Sequence, residues 1–240
     1  TSNKKFTVER YIPRGLYDTV TLPPPSSDLI SEVKKIKPII SRRTREDELS
    51  IKNHDKNPFY AIEQYAKEKD LEVDKKEMDK LVDDALDTIK YYKKYFNVTR
   101  PHEVDDTIKP LASTTNKTKA YPSGHATQAR LVGLHLSEKY PQHRERIMKA
   151  ADECGMGRVK AGFHYMMDFH AGNLLADRMY TYLNRGLTEG ARVPRKKGQP
   201  ANSKKHSDLY TDENPKGTIH GLGFTDRAKA TQSINKIKNS

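Results

Sequence analysis

The chain has 240 residues, of which 34% are hydrophobic and 32% charged, with a formal net charge of +12 and a single cysteine. This length suits one domain with a sizeable core plus appendages. The cysteine count excludes a disulfide framework, and no stretch approaches the twenty or so apolar residues of a membrane helix, so membrane insertion is not expected. The N-terminal residues lack the apolar block of a secretion signal, which favours a cytoplasmic protein, or a periplasmic one if a leader was removed before Thr1.

The first 28 residues are predicted to form an extended N-terminal segment. Residues 21–28, "TLPPPSSD", contain the proline run typical of polyproline conformation and end in residues that cap helices. A helix is then expected from about Leu29, broken near Pro38, and another is expected after Pro58.

The strongest helical pattern lies in residues 75–96, "KKEMDKLVDDALDTIKYYKKYF". Apolar residues recur there at intervals of three and four, which predicts an amphipathic helix. Lys93 follows Ile89 by four residues and Leu86 by seven, so it points along the inward side of this helix. A lysine in that position requires a functional reason.

Three more helices are predicted, at about 124–139, 142–157 and 164–184. Strand-type alternation is almost absent, so the predicted fold class is all-α, with a helical domain at residues 29–186.

The composition changes after Gly186 to a basic linker rich in Pro, Lys and Ser, followed by a short helical segment in "TDRAKATQSINKIKNS". Residues 191–240 hold 11 Lys/Arg against 4 Asp/Glu, which is +7 of the total +12. This tail, part of the predicted segment 187–240, is a candidate for weak, salt-sensitive contact with nucleic acid. A solvated, unfolded extension explains the same composition.

The stretch "YPSGHAT", residues 121–127, places chemistry at the predicted start of a helix. Ser123 suits the capping position, and the unpaired amides of a helix N-terminus attract an oxyanion. Gly124 lets a ligand approach the backbone, and His125 brings a titratable proton beside it. A helix cap with an ordinary surface histidine is the alternative interpretation.

Two flanking segments supply cations and a second histidine. Upstream, Lys93 and Arg100 lie seven residues apart at a helix end, and downstream Arg158 precedes His164 by six. Asp168 follows His164 by four residues, so on a helix its carboxylate can accept an N–H from the imidazole. The other ring nitrogen is then free to act as a nucleophile.

A metal site built from His164, Asp168 and His170 is the rival interpretation of the last segment. The two histidines are six residues apart, about 600° of helical rotation, so one helix does not aim both at the same ion. No metal is therefore expected, because positioned cations and amides can stabilise a phosphoryl transition state instead.

Together these motifs resemble the three-part signature of the type 2 phosphatidic acid phosphatase superfamily, which includes soluble acid phosphatases, lipid phosphatases and vanadium haloperoxidases. Within it, the sequence is most similar to the bacterial class A non-specific acid phosphatases, from about residue 20 to 185. The matching residues are Lys93-x6-Arg100-Pro101, Pro122-Ser123-Gly124-His125 and Arg158-x5-His164-x3-Asp168.

The resemblance implies a compact helical bundle and a phosphomonoesterase that acts on soluble phosphorylated small molecules without a cofactor. His164 would become a phosphohistidine, Asp168 would orient it, and His125 would be the general acid. The implied phosphate-binding residues are Lys93, Arg100, Ser123, Gly124 and Arg158. Members of the family often form dimers, which makes a homodimer an expectation by analogy.

One departure and two alternatives accompany this expectation. The family usually has serine before its second arginine, where this chain has Gly157. A vanadate-dependent haloperoxidase would use the same pocket, with His164 as the axial ligand of vanadate, but such proteins are generally longer. A basic nucleic-acid-associated protein with a vestigial pocket is the second alternative, although none of the six charged or histidine site residues is missing.

Overall fold

The computed structural model describes residues 11–188, and these residues form helices and loops without a β-strand. The predicted all-α class is therefore confirmed. The predicted basic linker and short C-terminal helical segment lie outside the described residues. No helix within residues 11–188 is long and apolar enough to cross a membrane. The helices are α1 (Leu29–Ser41), α2 (Arg45–Lys56), α3 (Tyr60–Glu68), α4 (Lys75–Phe96), α5 (Pro101–Val104), α6 (Gly124–Lys139), α7 (Arg144–Lys160) and α8 (Met166–Thr188).

The described part of the N-terminal segment packs against α4. A single 3-10 turn, Leu16–Asp18, interrupts otherwise irregular chain. The backbone N–H of Tyr11 donates to the Asp84 carboxylate at 2.6 Å, and that of Gly15 donates to Asp87 at 3.1 Å. These bonds explain why the segment is ordered without a helix or strand of its own, since its polar backbone is satisfied by α4 side chains.

Helix α1 begins where the sequence predicts, because the Asp28 side chain accepts the N–H of Ser31 at 2.9 Å. The predicted break near Pro38 is wrong, since the helix continues to Ser41. A proline this close to a helix end removes only one backbone bond. The last turn also packs the partly buried Ile39 and Ile40 against the core, which compensates for that loss.

Helix α2 was not predicted from the sequence. Its start is well defined, because Thr44 and Asp47 form a reciprocal capping box. Of its twelve residues only Ile51 and His54 are buried. The sequence of α2 therefore lacks the apolar periodicity that predicts an amphipathic helix. This helix matters to the site because it carries Asp55.

Helix α4 has the predicted length and buried face. Asp74 caps its start by accepting the N–H groups of Lys76 and Glu77, and Asn97, in the left-handed conformation at φ 51°, ends it. Lys93 belongs to the buried face, with only 7% of its surface exposed.

Helix α6 is the centre of the bundle, buried on most sides by α4, α7 and α8. Its N-terminus meets α8 at a very close approach: a Cβ on Gly172 would lie 2.6 Å from the Ser123 carbonyl oxygen. Only glycine permits this approach. It brings the start of α6 next to Asp168, whose carbonyl accepts the Ser123 N–H at 2.9 Å.

Candidate active site

A cavity of about 320 Å³ opens at the N-terminus of α6, and we refer to it as the α6 pocket. Six of the eight sequence-predicted site residues line it, while Ser123 and Asp168 lie fully buried behind its wall. The structure therefore brings together residues that are up to 75 positions apart in the chain. The six lining residues are Lys93, Arg100, Gly124, His125, Arg158 and His164.

The His164 ring is held between a carboxylate and an arginine. Its Nδ1 lies 2.9 Å from Asp168 Oδ2, and its Nε2 lies 3.2 Å from Arg100 Nη1. Because a guanidinium can only donate, Nε2 must be the acceptor, so the ring proton is on Nδ1 and donates to Asp168. The Nε2 lone pair therefore faces the pocket.

Helix α8 begins at Met166, two residues later than the motif predicted, yet the expected pair still forms. Asp168 Oδ2 also accepts the backbone N–H of Tyr165 at 3.0 Å, so the carboxylate caps the first turn of α8 and holds His164 at the same time.

Burial dominates the electrostatics of this pair. It raises the pKa of Asp168, which is fully buried, although the Tyr165 N–H bond opposes the change. Burial, together with the nearby charges of Arg100 and Lys93, holds the pKa of His164 well below its usual range. The His164 ring is therefore neutral near pH 7, which a nucleophilic nitrogen requires.

Lys93 reaches the pocket from the last turn of α4. Its Nζ donates to the carbonyl oxygens of Lys119 at 2.5 Å and Ala120 at 3.1 Å, which leaves one of its three N–H groups for a ligand. Burial, reinforced by the charge of Arg100, lowers the pKa of Lys93 to about 7. A bound anion would favour the charged form again.

Arg100, at the N-cap of α5, is fixed by three hydrogen bonds. Its Nε donates to the Thr118 carbonyl at 2.8 Å and its Nη1 to the Phe163 carbonyl at 2.7 Å, while its own N–H donates to Glu103 at 2.8 Å. The side chain is only 4% exposed and lines the α6 pocket, so these bonds hold its guanidinium in place at the pocket wall.

Arg158 is paired with Asp55, a residue that the sequence analysis did not identify. Its Nη1 donates to Asp55 Oδ1 at 2.6 Å, its Nη2 donates to Thr115 Oγ1 at 2.9 Å, and its guanidinium lies 4.3 Å from the Phe163 ring centroid. No local pattern could pair residues 103 positions apart on helices that have no common motif. The only indication of Asp55 in the sequence is that α2 is rich in polar residues and poor in apolar ones.

Asp55 also ties the loop after α5 to the pocket. It accepts from the side chains of Ser113 at 2.5 Å and Thr115 at 2.7 Å and from the Thr114 N–H at 3.1 Å. Although burial opposes it, these bonds and Arg158 hold the pKa of Asp55 well below its usual range. The loop at residues 105–123 thus bonds to Lys93, Arg100 and Arg158, and so positions each predicted cation.

Two amides at the N-terminus of α6 have no hydrogen-bond partner within residues 11–188. Ser123 accepts the N–H of Ala126 through its side chain and that of Thr127 through its carbonyl, which leaves the amides of Gly124 and His125 for a ligand. Burial and the charge of Arg158 lower the pKa of His125 to about 3. In the described structure His125 is therefore neutral at physiological pH.

Gly157 is the position at which the chain departs from the family pattern. A Cβ there would lie 3.2 Å from Cγ1 of Ile51, a close contact that a small shift of this α2 side chain could relieve. No oxygen from residue 157 reaches Arg158, whose Nε is buried without a partner among the described residues.

His170 does not join the site, because it is exposed on α8 while His164 is buried. Among residues 11–188, no group of three His, Cys, Asp or Glu side chains is arranged to hold a metal ion.

Residues 83–184 match the model of the PAP2 superfamily. The non-specific acid phosphatase of Salmonella typhimurium is 36% identical over 83 residues, which cover 33% of this chain and 33% of that protein. The acid phosphatase of Zymomonas mobilis is 32% identical over 85 residues, covering 33% of this chain and 32% of that protein. The chain thus spans about a third of the length of the curated relatives it matches.

Among solved structures, the first transmembrane PAP2 type phosphatidylglycerolphosphate phosphatase from Bacillus subtilis aligns with a TM-score of 0.48 and 18% identity, over 71% of this chain and 90% of that one. The resemblance predicted from the sequence motifs is confirmed by the family match and by the names of the relatives.

Proposed function

Because residues 83–184 match the model of the PAP2 superfamily, we propose that this chain is a phosphatase that hydrolyses monoesters of soluble phosphorylated small molecules through a phosphohistidine, without a metal ion. The single observation that carries this proposal is that the contacts of His164 keep its ring proton on Nδ1. Its Nδ1–H donates to Asp168, and its Nε2 lone pair points toward Arg100 in a pocket that three cations line.

The pocket has the charge to hold a phosphate group. Lys93, Arg100 and Arg158 supply cations, and the amides of Gly124 and His125 supply a helix N-terminus. Other bonds hold these donors in place before a ligand arrives, so stabilising the extra equatorial charge of a phosphoryl transition state requires only that Arg100 exchange its contact with His164 for one with phosphate.

In the first step, Nε2 of His164 forms a bond to phosphorus while the ester P–O bond breaks. Arg100 transfers its hydrogen bond from Nε2 to a phosphate oxygen, and Asp168 stabilises the imidazole ring, which becomes cationic. His125 gives its proton to the leaving oxygen, so that the alcohol departs neutral.

In the second step, the neutral His125 takes a proton from water, and the water oxygen attacks phosphorus. The P–N bond breaks, inorganic phosphate leaves, and His164 returns to its starting form with the proton on Nδ1. His125 is protonated again and ready for the next ester.

The role of His125 requires a bound anion. Its pKa of about 3 reflects burial and the nearby charge of Arg158. A phosphate dianion within a few ångströms favours the protonated ring and raises that pKa. Binding of the substrate phosphate therefore favours the protonated form of His125, which is the form that acts as general acid.

The test is phosphate release from p-nitrophenyl phosphate in excess EDTA between about pH 4 and about pH 8. His164→Ala is expected to abolish turnover, because the attacking nitrogen is gone. His170→Ala is the matched control, since that histidine is on the same helix but exposed and outside the α6 pocket. Its activity should equal that of the wild type.

Activity that disappears with EDTA, or that survives in His164→Ala, would contradict the proposal. If the wild type releases no phosphate at all, bromide oxidation with added vanadate and peroxide distinguishes a haloperoxidase from a pocket that binds without reacting. Nucleic-acid binding that is insensitive to phosphate would favour the remaining alternative.

A further inference from the structure

A second cavity, of about 310 Å³, adjoins the α6 pocket, and we refer to it as the lysine cavity. The two cavities have Lys90, Lys93 and Thr118 in common, so a molecule bound in one can extend into the other. Four of the six residues that line the lysine cavity are lysines. The lining residues are Lys90, Lys93, Lys94, Asn97, Thr118 and Lys119.

Among the residues that the structure describes, no carboxylate lines the lysine cavity. The carboxylates of the neighbouring cavities are already engaged: Asp55 accepts from Arg158 at 2.6 Å, and Glu103 accepts the N–H of Arg100 at 2.8 Å. The charge of the lysine cavity is therefore not compensated by any side chain lining it.

Several lysines elsewhere on the described surface form ion pairs. Lys35 lies 2.5 Å from Glu32, and Lys160 lies 2.5 Å from Asp47. By contrast, Lys90, Lys94 and Lys119 form no ion pair with any residue in the described part of the chain. Lys94 lies near the C-terminal end of α4, where an unpaired, solvated lysine is favoured by the helix dipole. The same reason does not apply to Lys119, which comes from the loop after α5 and lines the same cavity as the α4 lysines.

The spacing on α4 suits a small anion. Lys90 and Lys94 are four residues apart, so their Cβ atoms are neighbours at roughly 6 Å on one face. Lys90 precedes Lys93 by three residues, an axial rise of about 4.5 Å. Lys90 and Lys94 therefore lie beside Lys93, at the end of α4 where the lysine cavity and the α6 pocket meet.

We propose that the preferred substrates carry a second phosphoryl group, which binds to Lys90, Lys94 and Lys119 in the lysine cavity while the reacting phosphate occupies the α6 pocket. The inference rests on the proposed phosphatase function and names its substrate class, a bisphosphorylated small molecule. A single soluble molecule fits better than a polymer, since the two cavities together hold a few hundred cubic ångströms.

The experiment compares kcat/KM for fructose 1,6-bisphosphate and fructose 6-phosphate at low salt, in the wild type and in a Lys90→Ala/Lys94→Ala double variant. Exposed ion pairs contribute little individually, so two to three lysines give a preference of about tenfold for the bisphosphate. The double variant should lower that ratio to about twofold, the statistical value for two reactive groups, and chiefly through KM. Salt near molar concentration should have the same effect, because it screens exposed charges.

Lys76→Ala is the control, since Lys76 is exposed at the opposite end of α4 and lines neither cavity. It should keep the wild-type ratio. A wild-type ratio near twofold, or a ratio that the double variant leaves unchanged, would overturn the inference. If the wild type turns over neither sugar phosphate, calorimetric binding of fructose 1,6-bisphosphate decides: weaker binding in the double variant supports the lysine cavity although the phosphatase proposal has failed, and equal binding refutes it.

Discussion

The close approach of α8 to the start of α6 can be tested with one methyl group. In Gly172→Ala the new Cβ would lie 2.6 Å from the Ser123 carbonyl oxygen and 3.0 Å from the Cβ of Ala126. Cβ atoms in proteins essentially never lie closer than 3.0 Å to a non-bonded heavy atom. Helix α8 and the Ser123 carbonyl must therefore separate by at least 0.4 Å, the difference between 3.0 and 2.6. The neighbour is backbone and cannot rotate away.

The expected loss of stability follows from two opposing contributions. Overpacking of a rigid contact costs about 3 kcal/mol, at the upper end of its usual range. Alanine in place of glycine in a helix stabilises by about 1 kcal/mol. The net destabilisation is about 2 kcal/mol, which lowers Tm by roughly 4–8 °C for a chain of this size.

The same displacement should reduce activity, because it strains the bond between the Ser123 N–H and the Asp168 carbonyl and moves His125 relative to His164. A misplacement of about half an ångström in a catalytic constellation is expected to lower kcat/KM about tenfold. Differential scanning calorimetry and turnover of p-nitrophenyl phosphate measure the two effects.

Gly133→Ala is the matched control for this prediction. It makes the same change in the middle of α6, but its Cβ would lie 3.2 Å from the Met148 sulfur and the Ala151 Cβ, where a small adjustment suffices. Its stability should stay within about 1 kcal/mol of the wild type, with unchanged activity. Equal melting temperatures and equal activities in the two variants would refute the argument that the approach at Gly172 is rigid.

Three further predictions concern the pocket. His125→Ala should slow poor leaving groups far more than good ones, and an equal loss across leaving groups of different pKa would count against a general acid. Asp55→Asn removes the anion paired with the buried Arg158, so the unliganded protein should lose about 3 kcal/mol and added phosphate should raise its Tm more than that of the wild type; equal phosphate shifts would contradict this. Because burial lowers the pKa of Lys93 to about 7 and only the protonated amine attracts an anion, inhibition by sulfate should weaken as pH rises through about 7, by up to tenfold per unit. An inhibition constant that is flat from about pH 6 to about pH 9 would exclude that role for Lys93.

Some elements could be predicted from the sequence because their cause is local. The apolar repeat of residues 75–96 fixes the face that α4 buries, and with it the inward direction of Lys93. The cap at Ser123 and the four-residue spacing of His164 and Asp168 depend only on neighbouring positions, and both appear in the structure. The expected break at Pro38 was wrong because packing of the following turn outweighs the local penalty.

By itself, then, the sequence determined the helical class, the course of the long helices and the residue types that we propose hold and attack a phosphate. Only the tertiary structure decided that Asp55 pairs with Arg158, that the loop at 105–123 positions all three cations, and that Lys119 meets Lys90 at one cavity. The physical reason is distance along the chain. Helix caps and periodicity act within a few residues, whereas these contacts join segments that no local pattern relates and that only packing around α6 brings together.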